Sequence, residues 1–331
     1  MAPEEKERWN RKLGTLGKLM AGAGVWWQLD GALNISLRNI RGGGDFIGQH
    51  GDIDLSLFAD ELPKFKAYAE AQGYGLFYYT KDKSTGQKTF VEVTGKEAKP
   101  MKGAKLRLLA LDRIAGKMRT DTDLPVAGIV PYYRDQEGQF IAQWRGLILP
   151  AKWLPGETMP FRDTALALSH PARFVLHKLF YLDRAEYHQK DLERFVVEIR
   201  ALSDDDFSDI REVLQQSLIK LQQGRKEMEN YAEHLAARAK DLAGPEATYQ
   251  IIQKDLRAFY ENAYGFPAKD NPPETTNEIM KLAEGLSRLP DKSRENISAY
   301  LLHFGDFGEP EEERVRATLE NLEQLREKTA T

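Results

Sequence analysis

Residues 25–60 read VWWQLDGALNISLRNIRGGGDFIGQHGDIDLSLFAD, and the fold is decided within them. A short apolar run over 25–29 breaks at Gly31 into a segment in which Leu33, Ile35, Leu37 and Ile40 predict a helix. The glycines Gly42, Gly43 and Gly44 end it. The chain then enters 52–58, where Asp52, Asp54 and Ser56 alternate with Ile53, Leu55 and Leu57, the period of a strand with one buried face.

That alternation carries chemistry as well as structure. Residues two apart on a strand point the same way, so Asp52 and Asp54 are expected on one face. Two carboxylates so close repel each other, and a divalent cation between them relieves the repulsion. Hard oxygen ligands suit Mg2+ or Mn2+, which complete their shell with substrate phosphates and water. Metal-assisted phosphoryl or nucleotidyl transfer is the leading reading. The plainer one makes the two acids the solvated face of an amphipathic strand. Gly31 tips the balance, because the helix it opens presents backbone N–H groups where phosphate is favoured.

The order WWQLDGALNISLRNI, a glycine-rich spacer and FIGQHGDIDLSLF resembles the start of the nucleotidyltransferase fold, and most of all its LicD/fukutin branch. Trp27, Leu29, Gly31, Leu33, Arg38, Phe46, Ile47, Asp52 and Asp54 sit where that pattern places them. A second similar run spans 149–176, with LPAKWLP, then MPFR, then HPARFVL. The resemblance implies a metal-dependent transferase that moves a nucleotidyl or phosphocholine-like group from an NTP or a CDP-alcohol. The acceptor hydroxyl would belong to a glycan, small molecule, RNA or protein. Candidate donor contacts are Gly31, through the helix it opens, Asn34 and Arg38 on that helix, His50, two residues before Asp52, and Lys178, on a helix like one that related nucleotidyltransferases place near the site; the plainer readings are a loop histidine and a solvated lysine. The resemblance also implies a third carboxylate beside Asp52 and Asp54 on a neighbouring strand. Asp112, which closes the apolar run 106–111, is the preferred candidate and Glu92 the other. Two departures stand out: Ala32 replaces a small hydroxyl residue, and GIVPYY at 128–133 carries no acid where the branch has an aspartate. They support a second reading, a degraded nucleotide-binding scaffold whose helical region binds a partner protein.

The 331 residues, 41% hydrophobic and 30% charged, suit two globular domains. A net charge of −4 gives no basic field for extended nucleic-acid binding, and the absence of cysteine excludes disulfides and thiolate metal sites. No apolar run approaches the roughly 20 residues of a membrane span. The N-terminal segment carries acids among its bases and is expected as an amphipathic helix over 4–20 rather than a signal peptide. A cytoplasmic protein is the expectation. The six histidines show no zinc spacing, and no phosphate loop, serine elbow or Rossmann fingerprint is present.

The predicted architecture is α+β (α/β): a nucleotidyltransferase-like mixed sheet flanked by helices over 1–202, followed by an all-α region over 203–331. Strands are expected at 75–80, 88–94, 105–111, 126–133 and 139–149, with helices at 60–72 and from Pro171 capped by Ser169. The interval 115–123 reads as a loop and a candidate flap. Helices follow over 207–243, 247–263, 275–289, 293–303 and 310–328, and the long one offers a surface for homo-oligomerisation.

Overall fold

The computed structural model describes residues 2–48, 50, 52–81, 88–93, 105–112, 117–118, 124–134, 140–142, 147–179, 189–264, 273–304 and 309–329. Its first helix, α1 (Pro3–Ala23), precedes the unit strand β1 (Trp27–Asp30), helix α2 (Gly31–Arg41) and strand β2 (Ile53–Phe58). Helix α3 (Leu62–Ala71) leads to β3 (Tyr74–Lys81), β4 (Lys88–Glu92), β5 (Lys105–Asp112), β6 (Lys117–Met118) and β7 (Ala127–Arg134). Then come β8 (Phe140–Ala142), β9 (Ile148–Leu149), β10 (Glu157–Phe161), β11 (Thr164–Leu168), α4 (Pro171–Leu179) and α5 (Gln189–Arg200). The rest is helical: α6 (Asp204–Ala237), α7 (Pro245–Tyr264), α8 (Pro273–Ser287), α9 (Arg294–Phe304) and α10 (Glu309–Thr329).

The chain divides into two compact units, one holding Met1–Arg134, Gly138–Gln143 and Leu149–Asp206, the other mainly Phe207–Thr331. The first is built on a mixed sheet in the order β10-β11-β1-β2-β7-β5-β3-β4. Neighbours β1 and β11 are parallel, as are β2 and β7; the other adjacent pairs on this path are antiparallel. The expected α+β architecture is the observed one, with an all-α region after the sheet.

Burial explains the layering. On β2 the side chains of Ile53, Leu55 and Leu57 join a core with Trp9, Leu13, Leu16 and Met20 of α1 and with Leu62 and Phe65 of α3. Each such buried side chain contributes about 1.5–3 kcal/mol. The alternate residues of β2 serve the other face, where Ser56 is fully buried against α4. The second unit has its own core, in which Met228, Leu235, Ile252, Leu282, Leu286, Ile297 and Leu301 pack from α6, α7, α8 and α9.

Several sequence expectations shift. Of the strand expected over 139–149, β8 and β9 are described and residues 139 and 143–146 lie outside the described residues; the expected loop over 115–123 contributes β6, paired with β5, and the remainder of that candidate flap lies outside the described residues. Ser169 does not supply the expected cap: Ala172 N–H donates to His170 Nδ1 at 3.3 Å, while Ser169 Oγ accepts from Asn34 Nδ2 at 3.0 Å. Helix α5, which supplies a buried acid, had no counterpart in the sequence reading. Among the described residues no helix is long and apolar enough to cross a membrane.

Candidate active site

The antiparallel pairing of β1 and β2 sets Asp30 directly opposite Asp54, and the parallel pairing of β2 and β7 sets Asp54 beside Gly128. One strand further out, Arg107 of β5 is the partner of Gly128. Asp54, Gly128 and Arg107 therefore form a row across three strands. Asp52 lies just before β2, two residues from Asp54.

Two glycines clear the space around Asp54. Gly31, the first residue of α2, has φ +66, and a β-carbon there would stand 2.8 Å from Asp54 Oδ2. A β-carbon on Gly128 would stand 2.8 Å from Asp54 Oδ1 and equally 2.8 Å from Arg107 Nη1. Arg107 Nη2 in turn bonds Asp52 Oδ2 at 2.9 Å. The Asp54 carboxylate thus stands where α2 begins, and a helix start leaves its first N–H groups without intrahelical partners.

Asp30 is a second acid at this strand-to-helix turn, and sequence reasoning overlooked it. Its Oδ1 accepts the Gly31 N–H at 2.8 Å, capping α2, while Oδ2 accepts from Ser56 Oγ at 2.8 Å and from Arg173 Nη2 at 2.9 Å. Arg173, on α4, is buried and also donates to Ser56 Oγ at 2.7 Å and to Gln28 Oε1. Burial works to raise the Asp30 pKa, but the Arg173 charge and the bonds from Ser56 and Gly31 outweigh it and hold the carboxyl below the usual range. The signal was in the sequence: an aspartate before the glycine that opens a helix is a typical N-cap.

The other expected site residues have the following surroundings. Asn34 and Arg38, one turn apart on α2, both reach Ser169: Arg38 Nη2 donates to its carbonyl at 2.7 Å, and the same guanidinium pairs with Glu157 at 2.8 Å and Glu198 at 2.9 Å. Burial pushes the Glu198 carboxyl up, against the pull of Arg38. His50 is buried, hydrogen-bonded to Ser36 Oγ at 2.9 Å and set edge-on to Trp9 and Phe46. Lys178 Nζ stands 5.5 Å from the Phe174 ring centroid.

Neither candidate for the third carboxylate has its backbone near the pair. Asp112 closes β5 in register with Lys117, five residues beyond Arg107, which is about 17 Å at strand spacing. Glu92 ends β4, four places from β2 in the sheet, or roughly 19 Å. Among the described residues no three His, Asp or Glu side chains gather as a metal cluster.

No family model matches the chain, and no curated protein matches it. Several solved structures are distantly similar, three of them as follows. The antibiotic-resistance factor ANT(2'')-Ia in solution is 13% identical at a TM-score of 0.37, over 64% of this chain and 95% of its own. The lincosamide antibiotic adenylyltransferase LnuA with lincomycin bound is 13% identical at 0.35, over 57% and 94%. ANT(2'')-Ia in complex with adenylyl-2''-tobramycin is 11% identical at 0.36, over 63% and 98%.

Proposed function

We propose that this chain is a nucleotidyltransferase-type enzyme that transfers a nucleotidyl group from a nucleoside triphosphate to an acceptor hydroxyl. The observation that carries the proposal is the setting of Asp54, flanked by Gly31 and Gly128 at positions where any side chain would press on its carboxylate. A glycine on each side keeps that carboxylate accessible to a ligand, at the end of a helix whose N-terminus favours phosphate.

The donor set fits one divalent ion. Two carboxylates on one face suit Mg2+ or Mn2+ with substrate phosphate and water completing the shell, and Asp52 and Asp54 would hold it. When bound, such an ion supplies Lewis-acid polarisation of a phosphoryl oxygen. The first turn of α2 orients the phosphates by its N–H groups. Asp30, held by Arg173, fixes the start of α2 against β2 and so fixes the distance from that turn to Asp54. The acceptor oxygen bonds to the α-phosphorus as pyrophosphate leaves, and the hydroxyl proton passes to solvent. A phospho-alcohol version of the reaction, from a CDP-alcohol with CMP leaving, would use the same carboxylates.

Calorimetry and turnover assays with Mg2+, a panel of NTPs and CDP-choline test the reading on wild type and Asp54→Asn. Donor turnover is expected to need the metal and to fall by about 100-fold or more in the variant. Donor binding indifferent to both metal and substitution would establish the scaffold reading instead. Turnover of CDP-choline but of no NTP would assign the phospho-alcohol version.

A further inference from the structure

We infer that Arg107 serves as a built-in second cation of this site: it stands in for a third carboxylate and the metal such an acid would bind, leaves a single divalent ion to Asp52 and Asp54, and contacts a phosphate oxygen of the donor. The inference rests on the nucleotidyl-transfer reading and deepens it.

Position comes first. The resemblance implies a third acid on a strand neighbouring Asp54, and on the adjacent strand β7 the residue in register with Asp54 is Gly128. The space its side chain would fill is bordered instead by Arg107 from the next strand, whose Nη1 stands 2.8 Å from the missing β-carbon, as does Asp54 Oδ1. Glycine at 128 leaves room for the guanidinium where it stands, since a β-carbon there would make it shift.

Charge gives the second argument. Three carboxylates around two divalent ions leave one net positive charge facing the donor. Two carboxylates, one guanidinium and one divalent ion leave the same. The exchange of an acid and an ion for glycine and arginine thus conserves the field that a triphosphate meets, without a second metal.

Unsatisfied hydrogen bonding gives the third. Arg107 is largely buried, with 12% of its side chain exposed, and Nη2 is paired with Asp52. Nη1 is buried and makes no hydrogen bond among the described residues. A buried guanidinium nitrogen without an acceptor costs stability, and a phosphate oxygen is the acceptor whose geometry and charge it matches. The guanidinium carbon stands 5.6 Å from the Tyr79 ring centroid, a cation–π approach that helps hold the group in place.

Mn2+ binding followed by electron paramagnetic resonance, together with calorimetry of Mg2+-tripolyphosphate, tests this on the full chain. Wild type is expected to bind one Mn2+. Arg107→Met, which keeps the apolar stem, removes a competing cation, so Mn2+ should bind about 10-fold more tightly while tripolyphosphate binds about 10-fold more weakly. Arg107→Lys should restore both values toward wild type. A merely structural arginine would give no such opposite pair of changes. Mn2+ affinity unchanged or weakened in Arg107→Met, or two ions bound by wild type and lost in Asp54→Asn, overturns the role of Arg107 and leaves nucleotidyl transfer standing. No Mn2+ bound by wild type overturns both.

Discussion

At Gly31 three demands meet in one residue. It takes φ +66, it receives the cap from Asp30, and it leaves 2.8 Å between its missing β-carbon and Asp54 Oδ2. Gly31→Ala would strain the backbone, at about 1–2 kcal/mol for a left-handed alanine, and push the Asp54 carboxylate aside. The expected outcome is a modest loss in the urea midpoint alongside a loss of Mn2+ affinity larger than the stability change explains. Equal and small changes in both would show that Asp54 does not depend on the cleared space. Asp52, Asp54 and Gly31 were legible as a group from spacing alone, because strand alternation and glycine at a helix start are local rules. Arg107 was not, since only the pairing of β5 with β7 brings it to them.

Among the elements, α4 does most to hold the site's floor. Its Arg173 ties β1 to β2 through Asp30 and Ser56, and removing one member of such a buried pair costs about 3–5 kcal/mol. The same helix carries His177, whose pKa burial depresses from 6.5 to about 4 despite the nearby Asp30 charge. The folded protein therefore keeps this imidazole neutral in a range where the unfolded chain takes up a proton. Stability from this residue is complete above pH 6.5 and is lost as pH falls toward 4, by up to about 3 kcal/mol. Urea midpoints between pH 7 and pH 4.5 should fall more steeply for wild type than for His177→Gln; identical slopes would refute the assignment. Asp30 acts in a separate window: with its pKa held below 3.8, its contribution goes only under stronger acid. The sequence marked α4 as a helix led by Pro171, offered Lys178 to the donor and gave Arg173 no role, because a helix pattern shows which residues are polar and not which buried acid faces them.

Across the whole molecule, the two units rest on separate sets of apolar residues, one around β1, β2 and α1, the other around Leu282 and its neighbours. Leu282→Ala leaves a cavity in the helical core, at a cost of about 2–5 kcal/mol. Its melting transition should drop while Mn2+ binding at Asp52 and Asp54 stays unchanged; a parallel loss of Mn2+ affinity would show that the helical unit supports the site. By itself the sequence determined the α+β architecture and the helical second part, since the alternating and helical patterns and the run resembling a nucleotidyltransferase fold lie in consecutive residues. Only the tertiary structure decided which groups surround Asp52 and Asp54. Arg107, Gly128, Asp30 and Arg173 come from four different elements, and their meeting depends on strand order and register, which pairings between distant segments set and no local spacing records.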